Sequence, residues 1–553
     1  MKIDIPIFNV VDRLLMVITI LATLVFILWP VASVIGRSLI FEGGLSFKEY
    51  SDLFRQNIRL LINSLKVSSL TTVITMFFSI SIALYERYST NKIKKIILPL
   101  LFLTMISPPF VSSLAYINLF GRRGFITYRI LKLAINPYGW HGVVLMQSLG
   151  EISLISILMI GVIEGIDKNL INASRDLGSD STEAIRRVVL PLAKSGILAA
   201  LFITFVKSLA DFGTPIIIGG NFKTLATESY LTVIGRSNLS RASAMSVLIL
   251  IPSLIIFSFY KYHMEELQVL NKPGSKAFES GEAGLKLTKK LNILFGIISW
   301  FFIAVMLLQY ITIFISAITY FNGEKYIFTL KHIASMKGGL WKSFFRSIRY
   351  SFIAAISTGI LGLLLAYYIE RRKFKGSRIV DYIATLPYIL PGTFFGIGYI
   401  LAFNKRPLKL TGTVAIVLLN YIFRQIPIAT KAGSAALLNL SEEIENAAKD
   451  LGVERIFIMK DIVFPLLRPA FLIIFINTFT TTMTSVGSII FIISPGAKVA
   501  TVEMFNALRD GYYGTGAVIA NLIVFSTLII NMLFSKIILG KANSQGDKYV
   551  SAT

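Results

Sequence analysis

Cysteine is absent from this chain of 553 residues. Its absence excludes disulfides, thiolate metal centres and cysteine nucleophiles. Histidine is nearly absent too. His141, His263 and His332 stand far apart and give no metal-ligand spacing. Charged residues make up only 15% of the chain, and no paired carboxylates or nucleophile–base constellation stands out. The chain is therefore not read as an enzyme, and no cofactor is expected. It also lacks a G-x-x-x-x-G-K-[ST] loop, so it does not hold ATP in that way. Acidic residues are the minority, 30 against 55 basic, for a net charge of +25. No aromatic–basic module accompanies that charge, so nucleic acid is not an expected partner. Basic loops meeting anionic headgroups of a lipid bilayer account for it.

What the chain has is apolar surface. Hydrophobic residues make up 54% and the mean hydropathy is +0.71. A soluble protein could not bury so much, and the expected class is an all-α polytopic membrane protein. Runs of about 20 apolar residues predict twelve spans. They lie near 12–36, 59–84, 95–120, 140–163, 195–219 and 242–262, then 291–319, 344–369, 379–403, 411–435, 469–493 and 515–539. The first run is longer than a signal-peptide core and is read as a retained span.

The second six spans repeat the first six. "NSLKVS" (63–68) resembles "RSIRYS" (346–351), and "SPPF" (107–110) resembles "LPGT" (390–393), both at an offset of 283. The offset then falls to 274, so residues 121–140 carry a surplus in the first half. Six spans followed by the same six place both halves the same way up, a parallel repeat. The expected organisation has five parts. They are an N-terminal segment with the first span (1–56), a first transport domain (57–262), a linker with the seventh span (263–341), a second transport domain (342–540) and a tail (541–553). Lys92, Lys94, Lys95, Lys286, Lys289, Lys290, Arg371, Arg372 and Lys373 cluster in loops that are then cytoplasmic. That puts both termini inside.

One polar insert interrupts each half after its fourth span: "INASRDLGSDSTEAIRRVVLPLA" (171–193) and "IENAAKDLGVERIFIMKDIVFPLLRPA" (444–470). Asn172, Ala173, Gly178 and Pro191 return as Asn446, Ala447, Gly452 and Pro465, each 274 positions on. Leu190 returns as Phe464. Each insert predicts a short helix, a glycine turn and a second helix running to a proline, a compact cytoplasmic knob.

These inserts resemble the cytoplasmic loop of type I importer permeases of the ATP-binding cassette class. That loop reads E-A-A, three residues, Gly, nine residues, Ile, one residue, Leu-Pro. Both copies keep the spacing. Asn172 and Asn446 stand for the Glu, Ser174 for the second Ala, Val188 for Ile and Phe464 for Leu. The resemblance implies that each knob is a coupling helix seated on a partner ATPase, so that one fused chain serves two ATPase copies. It implies alternating access, a substrate-binding protein and a place in the bacterial inner membrane. Fused permeases of this kind are most similar to ferric-iron importers, on "SLADFGTPIIIGGNFKTLATESYL" and "LPYILPGTFFGIGY". 2-Aminoethylphosphonate and thiamine permeases are the alternatives within the class. A secondary transporter is the alternative outside it, and would need neither ATPase nor knob.

Ionisable groups within spans are candidates for the pathway or gate. Glu151, Lys207 and Asp211 lie in the first half, where the second half has Gln425, Thr481 and Ser485. Lys207 and Asp211 are four apart and can pair on one helix face. Lys66 and Arg349 are read as snorkelling to the interface.

Overall fold

The computed structural model describes residues 7–41, 44–105, 109–133, 136–270, 285–322 and 325–550. Half of the linker expected over 263–290, residues 271–284, lies outside them. Among the described residues seven helices are long and apolar enough to span a membrane: Val10–Ser38, Ile58–Tyr88, Trp140–Glu164, Leu239–Phe259, Lys289–Ile318, Gly339–Arg372 and Tyr513–Lys536. Four bent pairs bring the count to eleven, namely Lys92–Met105 with Phe110–Ile130, Ser181–Leu192 with Lys194–Ala210, Ser377–Ile389 with Gly392–Phe403, and Arg455–Leu466 with Arg468–Thr484. The remaining expected span, 411–435, is the helix Val414–Leu438. It is not apolar enough to stand among the eleven, because it carries Asn420, Arg424, Gln425 and Lys431. It packs instead between the eighth, ninth and eleventh spans.

Two expectations of continuous spans are corrected. The third and ninth bend by 100° and 115°. In the ninth, the bend falls at Leu390–Pro391, since proline cannot donate to the preceding turn. Among the described residues the regular structure is helical apart from two short hairpins. Ile40–Phe41 pairs with Gly44–Leu45 and Thr319–Phe321 with Tyr326–Phe328, after the first and the seventh span. The internal repeat therefore extends to these caps.

The first span of each half packs on the other half. Tyr399 Oη donates to Phe26 O at 2.9 Å, Phe26 stacks on Phe423 at 4.8 Å, and Asp12 pairs with Arg372. Gly398 lacks a Cβ where Pro30 O passes, and one built there would lie 2.8 Å from that oxygen. In exchange the seventh span docks on the first half. Gln309 accepts from Ser112 at 3.1 Å and Ser316 from Asn118 at 2.8 Å. Small polar side chains joining helices in this way are the usual adhesive where lipid supplies no hydrophobic drive.

Candidate functional site

Both inserts fold as the sequence predicts. Asp167 accepts from Asn169 N at 2.8 Å and opens Lys168–Asp176, and Ser441 accepts from Glu443 N at 3.2 Å and opens Glu442–Asp450. Each helix closes with glycine in the left-handed region, Gly178 at φ +90° and Gly452 at φ +78°. The bonds Ser179 N→Ser174 O (3.2 Å) and Gly178 N→Arg175 O (2.9 Å) form a Schellman cap. Val453 N→Ala448 O (3.0 Å) and Gly452 N→Lys449 O (2.8 Å) repeat it. The second helices, Ser181–Leu192 and Arg455–Leu466, each include a π turn before Pro191 or Pro465.

Each knob turns its apolar side to its own half. Ile171, Ala184 and Val189 are buried in the first, and Ala448, Ile458 and Val463 in the second. The outer side is open: Ala173, Gly178, Asn446, Ala447 and Gly452 are exposed, while Asn172, Leu190 and Phe464 are half-buried. Pro191 is exposed and Pro465 half-buried. Leu177 and Leu451 project at the two tips, 88% and 83% exposed. At the same turn of both copies a bulky apolar side chain is thus left uncovered.

The knobs are fastened differently. In the second, Arg371 is 8% exposed and meets Glu442 at 3.0 Å and Glu445 at 2.9 Å, while donating to the carbonyls of Leu437 and Leu440. Tyr367 Oη donates to Glu445 at 3.3 Å. In the first half "YERY" (85–88) matches "IERR" (369–372), so Arg87 stands for Arg371 and Ile171 for Glu445; Arg87 meets Glu164 at 3.9 Å. There the end of the linker docks. Leu287 N donates to Tyr88 O at 3.1 Å, Ser181 Oγ donates to Lys286 O, and Leu285 and Leu287 are buried.

Deeper in the molecule, the expected pairing of Lys207 with Asp211 is corrected. Lys207 Nζ meets Glu151 at 3.0 Å, across to the fourth span. The helix Lys194–Ala210 ends just before Asp211, so the four-residue spacing no longer sets one face. Asp211 instead accepts from the N–H groups of Gly213 (2.9 Å) and Thr214 (3.2 Å), and from Gln147 Nε2 (3.0 Å). Gln147, which sequence reasoning passed over, also accepts from Ser208 at 2.6 Å. It joins the fourth and fifth spans. In the second half Gln425 is buried and Ser485 accepts a long contact from Arg424 at 3.5 Å. Lys66 does not reach into open water alone, since its Nζ stands 4.0 Å over the ring of Trp140.

Beside Asp211 and Ser485 lies a feature no local pattern announces. Phe110, Phe212 and Tyr230 of the first half meet Phe491 and Phe505 of the second. Phe212 stacks on Tyr230 at 5.0 Å, Tyr230 meets Phe491 at 5.8 Å, and Phe110 meets Phe505 at 5.1 Å. Five aromatic rings from both halves close the space between them. A cleft of about 430 Å³ opens elsewhere between the halves, lined by Arg122, Tyr138, Tyr320, His332 and Tyr513 among others. The surplus segment of the first half supplies Arg122 and Tyr138.

The chain matches the family described as "Binding-protein-dependent transport system inner membrane component" twice, over residues 75–266 and 358–541. It is 28% identical, over 87% of its length and 71% of the relative's, to "Ferric transport system permease protein FbpB" of Actinobacillus pleuropneumoniae. It is 26% identical to "Putative 2-aminoethylphosphonate transport system permease protein PhnV" of Salmonella paratyphi A, over 38% of this chain and 80% of that one. A solved structure, "Crystal structure of an amino acid ABC transporter with histidines", aligns with a TM-score of 0.32 at 17% identity, covering 40% of this chain and 99% of that one.

Proposed function

Because the chain belongs to the family of binding-protein-dependent transport system inner membrane components, matched in both halves, we propose that it carries both halves of an importer's permease and moves ferric iron. The observation that carries the coupling is the pair of knobs, each a capped helix–turn–helix with an exposed leucine at its tip. Each knob seats on one copy of a partner ATPase, and a binding protein delivers cargo to the opposite face. Asn172, Ala173, Gly178, Leu190 and Pro191, with Asn446, Ala447, Gly452, Phe464 and Pro465, make up the two coupling surfaces. Both termini lie in the cytoplasm.

The path runs between the halves, and the five-ring plug is its closed gate. ATP binding draws the ATPase copies together and the knobs with them. The halves then part at the plug, and hydrolysis resets them. In this account the permease is a two-state element biased both by ATP and by the loaded binding protein. Lys207 and Glu151 carry an ion pair at mid-span with Lys207 half exposed. An exposed ion pair at that depth fits a watered vestibule better than lipid. Ferric iron is supported by the long ferric-permease match. The shorter phosphonate-permease match keeps 2-aminoethylphosphonate as the second reading.

Deleting the partner ATPase tests the coupling. Iron uptake should stop while the permease still inserts. Uptake that persists would make the chain a secondary transporter. Radiolabelled iron against labelled aminoethylphosphonate, in cells with the system intact, decides the cargo.

A further inference from the structure

The bend of the ninth span gathers positive charge and hydrogen-bond donors without a matching acceptor. The helix Gly392–Phe403 begins there, and its first backbone bond is Phe395 N→Pro391 O. The earlier N–H groups have no acceptor within the helix, and the helix dipole adds a positive potential at that end. The guanidinium of Arg424 lies against this same end. A Cβ on Gly392 would stand 2.7 Å from its Nη2. Two positive ends thus face each other, an unfavourable arrangement unless an anion lies between them.

The surrounding side chains point the same way. Arg424 Nη1 donates to Ser488 Oγ at 2.9 Å, and Ser488 donates onward to Asn420 Oδ1 at 2.6 Å. Asn420 Nδ2 and Thr393 Oγ1 are buried and find no partner among the described residues. Among the described residues no carboxylate forms an ion pair with Arg424; its side-chain partners are Ser485 and Ser488. A guanidinium has five N–H donors in a planar fork suited to oxyanions. The site also adjoins the plug. A Cβ on Gly487 would lie 3.8 Å from Arg424 Nη1 and 4.0 Å from the ring of Phe212. The first half lacks all of this, having Gly150 in place of Arg424 and Phe110 in place of Thr393.

We propose that Arg424, Asn420, Thr393 and the start of Gly392–Phe403 form an oxyanion site on the path, taking a phosphate, phosphonate or carboxylate group. This rests on the permease reading. An unpaired guanidinium repels a bare ferric ion at this depth and draws in an oxyanion. Cargo therefore crosses either as an oxyanion or as a ferric ion with an oxyanion bound to it.

The test uses the full chain with its ATPase in nanodiscs, probed with radiolabelled inorganic phosphate and, separately, methylphosphonate. Saturable binding is expected in the wild type. It should weaken at least tenfold in Arg424→Gln, partly recover in Arg424→Lys, and weaken a few-fold in Thr393→Val. The last change is nearly isosteric and keeps the test alive if Arg424→Gln does not fold. No saturable binding in the wild type, or binding unchanged in both Arg424→Gln and Thr393→Val, overturns the site. Proteoliposomes with the binding protein then separate the sources. Phosphate entering together with iron marks an accompanying anion, and phosphonate entering without iron marks cargo. Oxyanion binding without any ATP-driven uptake would leave the site standing and remove the transport reading.

Discussion

Gly178 and Gly452 are the residues on which each knob turns. A Cβ at either would meet nothing within 4 Å, so the constraint lies in the backbone alone, at φ +90° and +78°. A left-handed residue with a side chain costs about 1–2 kcal/mol, and a β-branched one more. Gly178→Val and Gly452→Val should therefore leave the chain inserted and the core intact while misplacing the tip leucine. ATP hydrolysis by the complex should continue with uptake falling severalfold, and hydrolysis and uptake measured on the same proteoliposomes check this. Asp211 calls for a different expectation. Its side chain accepts from the N–H groups of Gly213 and Thr214 at the start of the helix Gly213–Ile218, a capping role that asparagine fills as well as aspartate. Asp211→Asn should hold the melting temperature of the purified protein, while Asp211→Ala lowers stability by about 1 kcal/mol. The knob glycines were legible because a turn demands them. The partner of Lys207 was not, because the pairing depended on where one helix stops. Arg424 was missed for a related reason. Its setting is assembled from the bend at Pro391 and the loop at Ser488, which lie far from it in sequence.

At the scale of elements, the repeat predicted both knobs and matched "SPPF" to "LPGT", but apolar length alone could not show that the ninth span bends there. Hydropathy placed a span at 411–435, and the helix Val414–Leu438 stands there, carrying polar side chains packed among other helices. Nor could it show that one fold is fastened in two ways. Arg371 and Glu445, each 8% exposed, hold the second knob by charge, whereas in the first half Arg87 meets Glu164 and Ile171 takes the place of Glu445. Removing one member of a buried pair strands the other and costs about 3–5 kcal/mol, whereas replacing both with fitting apolar groups is often neutral. Glu445→Ala should accordingly destabilise the second knob and cut uptake. The double change Arg371→Met with Glu445→Ile, which replaces both charges with apolar groups, should restore most of both. Thermal unfolding and uptake of the two variants measure it. A double variant no better than the single one would mean that the ion pair does more than fasten.

At the scale of the whole molecule, the crossed packing of the first and seventh spans was invisible in the sequence. An apolar helix carries no address, and its partner is chosen by small contacts such as Pro30 on Gly398 and Ser112 on Gln309. The exchange ties the halves together on either side of the five aromatic rings. Widening the plug should show at this scale. Phe212→Ala with Phe491→Ala should let iron leak through the purified permease without ATP, read as passive flux into liposomes. The central claim is that two knobs on one chain serve two ATPase copies, and the intact mass of the purified complex tests it most directly. One permease chain of 61.5 kDa with two ATPase copies is the expected result. Two permease chains per ATPase pair, or a single ATPase per chain, would contradict it.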